Sequence, residues 1–197
     1  VDLRRIPDLD YVRERGNTVA IGAMTSKSAA EDAPAVAARQ PLFRAATRLV
    51  ADRTIRNRGT VGGSFAHADP ASEYPAIALV LDAVFTAAGP EGRRRIEAQD
   101  FFVSYMTTGL EPAEILVEIE LPDLPAGSGW AIQEFARRHG DLALAGITAV
   151  IGVKAGRVSD ARLAVFGVGA TALRLTAAED ALRGEAARPE EFARAAA

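Results

Sequence analysis

The sequence predicts an α+β protein in which helices and antiparallel strands follow one another irregularly. Three observations support this prediction: strict apolar alternation over residues 115–121, helical spacing of apolar residues over 42–51, and a hairpin turn at 154–157. The antiparallel hairpins argue against a doubly wound parallel sheet. With 197 residues, the chain is long enough to form one large domain or two small ones.

The first part of the chain is predicted to alternate short strands and helices around one polar loop. Ser26 suits a helix N-cap, and Asp82 ends an apolar helix that a strand follows. The chain is predicted to start with strands within 1–12 and 18–26 and helices over 26–38 and 42–51. A loop over 54–76 then runs into a helix over 75–81, and a strand over 83–87 follows. A strand from 96 leads into a short helix near 100–105, and the last strand of this part covers 115–121.

Residues 122–129 are rich in proline and glycine and are predicted to separate two domains, at 1–124 and 127–197. The second domain should begin with a strand over 130–138. A helix from about residue 141 should then lead into the hairpin and a further strand. Thr176 and Gly184 suit the N-cap and the stop of another helix, and the last residues of the chain have a helical pattern.

Composition excludes several classes of function. The net charge of −3 gives no basic surface for nucleic acid, and no apolar run approaches the roughly 20 residues that cross a bilayer. The absence of cysteine excludes a thiol nucleophile and cysteine-ligated metal or iron–sulfur centres on this chain. Because His67 and His139 are the only histidines, we expect no histidine metal site. No catalytic acid–base pair is evident in the sequence. This composition fits a cytoplasmic protein.

The polar stretch over 54–76 is the candidate binding segment. Gly62 and Gly63 could adopt positive φ, and consecutive backbone amides in such a turn can form a nest for an anion. The hydroxyls nearby and the guanidinium groups of Arg56 and Arg58 would favour a diphosphate. These features alone predict a diphosphate site and a plain turn equally well.

The exact string over 56–75, RNRGTVGGSFAHADPASEYP, resembles the second flavin-binding motif of the molybdenum hydroxylase flavoproteins. This family includes the medium subunits of carbon monoxide dehydrogenases and the flavin domain of xanthine dehydrogenase. Four further segments are similar to the family in the same order: AIGAMTS, ILVEIELP, RRHGDLALAGITAVI and LAVFGVGATALR. The resemblance implies a vanillyl-alcohol-oxidase-type (PCMH-like) FAD-binding domain that lacks its N-terminal subdomain. A carbon monoxide dehydrogenase flavoprotein C-terminal-like domain would follow it.

The resemblance also implies which residues contact FAD. In the family, the segment equivalent to 60–64 wraps the cofactor, with backbone amides directed at the diphosphate. Glu73 stands where aspartate is usual, and Gln133 stands where xanthine dehydrogenases often place lysine. Its neighbour Ile132 stands where carbon monoxide dehydrogenases place tyrosine. These two departures leave the surroundings of the flavin ring, and hence the identity of the electron acceptor, undetermined. The expected cofactor-binding residues are Val50, Thr60, Val61, Gly62, Gly63, Ser64, Glu73, Leu116 and Gln133.

The implied function is electron transfer within a larger enzyme. FAD on this chain would receive electrons from [2Fe–2S] clusters on a small partner subunit, and a large molybdopterin subunit would oxidise the substrate. The three subunits would form a heterotrimer that dimerises to a heterohexamer. The family's earlier flavin motif, A-G-G-[QN]-[ST], does not occur in this sequence. A flavin-free scaffold subunit and a stand-alone flavin oxidase are therefore the alternatives.

Overall fold

A computed structural model describes residues 2–196 and confirms the α+β prediction. After a 3₁₀ turn at Pro7–Leu9, the helices are α1 (Lys27–Asp32), α2 (Pro34–Arg39), α3 (Pro41–Leu49), α4 (Arg53–Arg58), α5 (Val61–His67), α6 (Glu73–Leu81), α7 (Ala98–Phe101), α8 (Thr176–Leu182) and α9 (Pro189–Ala195). The strands are β1 (Val12–Arg15), β2 (Thr18–Gly22), β3 (Val84–Gly89), β4 (Gly92–Glu97), β5 (Phe102–Ser104), β6 (Thr107–Thr108), β7 (Ile115–Pro122), β8 (Ser128–Phe135), β9 (Ala145–Lys154), β10 (Arg157–Phe166) and β11 (Leu173–Arg174).

The first sheet has the order β1-β2-β7-β3-β4, and its neighbouring strands are antiparallel. The strand predicted from alternation is the central strand β7, and its residues from Leu116 to Leu121 are all buried. One face of β7 carries Glu118 and Glu120, which pair with Arg15 of β1. The alternation in the sequence therefore marks an apolar face and a face of ion pairs.

The second sheet has the order β11-β10-β9-β8 and is also antiparallel. The predicted hairpin between β9 and β10 is confirmed. Its two turn residues, Ala155 and Gly156, have φ of +51° and +75°. Positive φ at both central positions matches the twist of the flanking strands.

Helix α6 joins the two sheets into one core. Every residue of α6 is buried, since it packs against β9 and β10 on one side and against α3 and β7 on others. A helix that is apolar on all sides is stable only in such a position. A chain of aromatic contacts extends from α6 through the first sheet: Phe43 to Tyr74, Tyr74 to Phe65, Phe65 to Phe85, and Phe85 to Phe101.

Several sequence predictions are wrong in their local detail. The strand expected at the start is replaced, over residues 2–11, by the turn at Pro7–Leu9, and Val1 lies outside the described residues. The helix over 26–38 has the predicted Ser26 cap but breaks before Pro34, because proline disfavours helical geometry in the residue that precedes it. The helix from about residue 141 does not form.

At the end of the chain, α8 begins at Thr176, whose side chain does not cap it. Gly184 follows α8 with φ of +83°, the left-handed conformation expected of a glycine that ends a helix. The final helix, α9, matches the helical pattern of the last residues, of which Ala197 lies outside the description.

Candidate functional site

The predicted binding loop is largely helical. Residues 54–76 fold into most of α4, all of α5 and the start of α6. Thr60 is the N-cap of α5, and its Oγ1 accepts a hydrogen bond from the Gly63 amide at 3.0 Å. Gly62 and Gly63 therefore lie in the first turn of a helix and do not use positive φ. The prediction that they form a loop of left-handed glycines is wrong.

The amides that begin α5 already have acceptors within the chain. The four bonds run from Val61 to the Thr25 carbonyl, from Gly62 to the Ala23 carbonyl, from Gly63 to Thr60 Oγ1 and from Ser64 to the Thr60 carbonyl, at 2.9–3.2 Å. In this arrangement the amides do not point together at an empty space. An anion at this segment would have to share or displace one of these bonds.

The two glycines of α5 have different structural roles. A Cβ on Gly62 would lie 2.4 Å from the Ala23 Cβ and 2.6 Å from the Ala23 Cα and oxygen, so glycine allows α5 to touch the end of β2. Gly63 is exposed, and a Cβ there would approach only Thr60 Oγ1, at 2.7 Å. Gly62 is thus required for packing, whereas Gly63 leaves the surface of α5 open.

Arg56 is buried and is not available to a ligand in the way that the sequence suggested. Its Nε donates to Glu31 Oε2 at 3.1 Å, and its Nη1 donates to the carbonyls of Val50 and Ala51 at 2.9 and 3.0 Å. The Glu31 carboxylate is buried as well and also accepts from Arg48. The expectation that Arg56 supplies free positive charge is therefore wrong, and its role is to hold α4 against α1.

The same contacts shape the turn between α3 and α4. Val50 ends α3 and is half-buried against the core, while Ala51 has φ of +45°, a conformation that is unfavourable for alanine. Gly140, in the segment before β9, lies against Ala51, and a Cβ on it would be 3.1 Å from the Ala51 backbone. Arg56 thus stabilises a strained turn at a contact between the two parts of the chain.

A cluster of buried ionisable side chains lies beside the start of α5. Glu73, the first residue of α6, is 4% exposed, and Lys27, the first residue of α1, is 7% exposed. Burial raises the pKa of Glu73 to about 7 and lowers the pKa of Lys27. Glu134 of β8 adds a second carboxyl, whose pKa is also raised by burial. Its Oε2 is buried and lacks a hydrogen-bond partner among residues 2–196.

The Glu73 carboxyl makes stability depend on pH. Because the folded protein holds this proton more tightly than the unfolded chain, its stabilising effect is complete below pH 4.5 and falls as the pH rises to about 7. We expect Glu73→Gln to remove most of this loss and to raise the melting temperature at pH 8. Thermal melts at pH 4, 5, 6, 7 and 8 measure this pH dependence of stability, with Glu91→Gln, a change at an exposed residue, as the control. Parallel pH profiles for wild type and Glu73→Gln would contradict the prediction.

Leu116 and Gln133, which the family resemblance places near the flavin ring, lie in different surroundings. Leu116 is 5% exposed within β7, where its side chain belongs to the core and its backbone pairs with Ala87 of β3. Gln133 is exposed on β8, on the face opposite to its neighbour Glu134, since side chains alternate along a strand. The even positions of β8 from Ile132 onward are less exposed than the odd ones, and Ile132 packs against the core. Glu134 lies close enough to Glu73 to raise the pKa of that carboxyl. Glu134, not Gln133, meets the buried cluster.

The structure therefore brings the segment 60–64 together with Glu73 and separates Gln133 from them. Lys27, Glu31 and Glu134 were not identified from the sequence. A lysine directly after a helix N-cap normally reaches solvent, and no sequence pattern shows that Lys27 is covered. The described part of the chain contains no group of three or more metal-ligating side chains and no helix long and apolar enough to cross a membrane.

Two family models match nearly the whole chain. The model described as the FAD binding domain in molybdopterin dehydrogenase matches residues 1–124, and the model described as the CO dehydrogenase flavoprotein C-terminal domain matches residues 130–197. The fold and these matches define the class of the chain as a flavoprotein component of an oxidoreductase. The chain belongs to the family of FAD-binding domains of molybdopterin dehydrogenases.

The relatives that the chain resembles are medium subunits. It is 41% identical over 196 residues to the carbon monoxide dehydrogenase medium chain of Hydrogenophaga pseudoflava, covering 100% of this chain and 68% of the relative. It is 41% identical over 190 residues to the nicotine 6-hydroxylase medium subunit of Paenarthrobacter nicotinovorans, covering 96% and 66%. The chain thus spans about two thirds of the length of these relatives.

Solved structures agree with these matches. Carbon monoxide dehydrogenase from Hydrogenophaga pseudoflava superposes with a TM-score of 0.94 at 45% identity, covering 98% of this chain and 67% of the other. Quinoline 2-oxidoreductase from Pseudomonas putida 86 superposes with a TM-score of 0.94 at 36% identity, covering 100% and 68%. The expected family, fold class and FAD cofactor are therefore confirmed.

Buried polar groups near α5 fit a polar cofactor. Glu134 Oε2 is covered by protein and has no hydrogen-bond partner among the described residues, and the largely covered Lys27 has Glu73 only as a through-space counter-charge there. Buried polar groups in native proteins are normally hydrogen-bonded, so a ligand that supplies the missing partners is physically reasonable here. The exposed Gly63 leaves room for such a ligand beside Thr60.

Proposed function

We propose that the chain carries electrons within a molybdenum hydroxylase, from [2Fe–2S] clusters on a small partner subunit through FAD to an acceptor. The observation that supports this most strongly is the 0.94 TM-score over 98% of the chain with a carbon monoxide dehydrogenase. FAD itself supplies the redox chemistry, because it can accept and release electrons. The residues of this chain bind and orient it.

The proposed binding residues have separate tasks. The exposed Gly63 and half-buried Ser64 at the start of α5 would meet the diphosphate, with Thr60 as the flexible hydroxyl between them. Glu73 would bond a polar group of the cofactor at the buried end of the site. The remaining proposed contacts, as the family places them, are Val50, Val61, Gly62, Leu116 and Gln133.

The proposed assembly contains a large molybdopterin subunit and the small [2Fe–2S] subunit. We place two such heterotrimers in a heterohexamer in the cytoplasm. The lack of cysteine supports this arrangement, because the iron–sulfur ligands would then come from a partner chain.

One observation favours the alternative of a flavin-free scaffold. The first four amides of α5 and the Arg56 guanidinium are all bonded within the chain, so this segment is stable without a ligand. The scaffold would keep the fold and the subunit contacts but carry no flavin.

An absorption spectrum of the purified complete protein decides between the two. Bound flavin gives its two visible bands, and we expect them at about one FAD per chain. A colourless protein that takes up no FAD after reconstitution would exclude the proposed function and leave the scaffold. Co-purification with an iron–sulfur chain and a molybdenum chain, followed by mass measurement of the complex, tests the assembly.

A further inference from the structure

The positive charge for the proposed diphosphate site has no evident source in the segment 56–64. The α5 amides donate within the chain, and Arg56 is held by Glu31. Arg58 is exposed on α4 and would act through solvent, where a single charge has little effect. A doubly charged group at this position therefore needs another cation.

Lys27 is a cation that lies directly beside this segment. Its backbone amide donates to the Gly59 carbonyl at 2.9 Å, and Ser26 and Thr60 form a bridge beside it. Its ammonium nitrogen lies 2.7 Å from the point that a Cβ on Gly59 would occupy. The side chain thus runs past Gly59, directly before the N-cap of α5.

The Lys27 side chain is largely covered, but its ammonium has no ion-pair partner among residues 2–196. Only 7% of the residue is exposed, and Glu73 acts on it through space, without a direct ion pair. Partial removal of an ammonium from water is costly, and burial accordingly lowers the pKa of Lys27. Glu73 is a weak counter-charge, since burial raises its pKa to about 7 and keeps it partly protonated at neutral pH.

We infer that Lys27 binds the diphosphate of FAD and supplies the positive charge that the start of α5 lacks. This inference rests on the proposed function, because it assumes that the segment 60–64 meets the diphosphate. A Cβ at position 59 would meet this ammonium, which shows how closely the Lys27 side chain passes the backbone before α5. The ligand then provides the counter-charge that the protein does not.

The test is the affinity of the complete protein for FAD, ADP and riboflavin, measured by titration of wild type and Lys27→Met. Methionine keeps the length of the side chain and removes the charge. We expect Lys27→Met to bind FAD and ADP at least tenfold more weakly and riboflavin, which lacks phosphate, as wild type does. Because Lys27 forms no direct ion pair among residues 2–196, its replacement breaks none, and the melting temperature without ligand should stay close to that of wild type.

Lys154→Met is the matched control, because Lys154 is exposed and is the only other lysine. It should bind all three ligands as wild type does. Lys27→Arg should recover part of the FAD affinity, and Lys27→Gln replaces the methionine variant if that variant fails to fold. Unchanged FAD affinity in the folded neutral variant would overturn the inference while the proposed function stands. Equal losses for FAD and riboflavin would also overturn it, and a wild type that binds no FAD would refute both.

Discussion

Gly62→Ala is expected to destabilise the protein by roughly 3 kcal/mol, the upper part of the range for overpacked sites. The new methyl group would lie 2.4–2.6 Å from three atoms of Ala23, and two of them, Cα and the carbonyl oxygen, belong to the backbone and cannot rotate away. Helix α5 must then move from the end of β2. Because that movement carries the segment 60–64 with it, FAD affinity should also fall. Urea unfolding followed by circular dichroism measures the first effect, and a FAD titration measures the second.

Gly63→Ala is the matched control in the same helical turn. Its methyl group approaches only the Thr60 hydroxyl, which can rotate, although the N-cap bond is then lost at a cost of about 1 kcal/mol. Alanine gains about 1 kcal/mol over glycine within a helix, so the net change should be small. The stability of Gly63→Ala should thus resemble that of wild type, even though the methyl group narrows the space for FAD beside Thr60. Equal unfolding midpoints for the two variants would show that the Ala23 contact does not matter.

Arg56→Met is expected to cost about 3 kcal/mol, as is typical when one partner of a buried ion pair is removed. The change leaves the buried Glu31 carboxylate with only the more exposed Arg48 and Arg53, at 3.1 and 3.7 Å, and it leaves the carbonyls of Val50 and Ala51 without the Arg56 donor. The strained turn at Ala51 then loses its support. Urea unfolding again measures the effect, together with loss of bound flavin on gel filtration.

Arg58→Met provides the comparison on the same helix. Arg58 is exposed, and single exposed charges contribute little to stability. Its unfolding midpoint should therefore stay close to that of wild type. Adding Glu31→Gln to Arg56→Met should restore part of the lost stability, because a buried charge that has lost one of its partners disappears. A double variant that is less stable than Arg56→Met would refute the buried-charge explanation.

The sequence could predict the elements whose cause is local. Alternation over 115–121 identifies β7, and Asp82 ends α6 in the left-handed conformation that a short polar residue tolerates. The Gly156 hairpin is likewise encoded by adjacent residues. In each case the residues that determine the structure lie next to one another in the chain.

The helices α4 and α5 could not be predicted in this way. They have six and seven residues, too few to be stable alone, and α5 has two glycines in its first turn. Their stability comes from distant contacts, namely Arg56 with Glu31 and Gly62 with Ala23. Neither contact has a signature in the local sequence.

The candidate site shows the same limit. The family resemblance directed attention to Gln133, but the period of the strand turns its neighbour Glu134 toward α6. Lys27 has no motif at all, and only its burial beside Gly59 distinguishes it from a surface lysine. A motif indicates which segment meets a ligand, whereas the charges around that segment depend on tertiary packing.

The position of α6 has a consequence for how the chain can be divided. The helix belongs by sequence to the part before residue 124, yet it covers one face of β9 and β10, which lie after residue 127. Separate fragments ending and beginning there would each expose an apolar surface that the other normally hides. Such halves should be poorly soluble when produced alone and should complement each other when produced together.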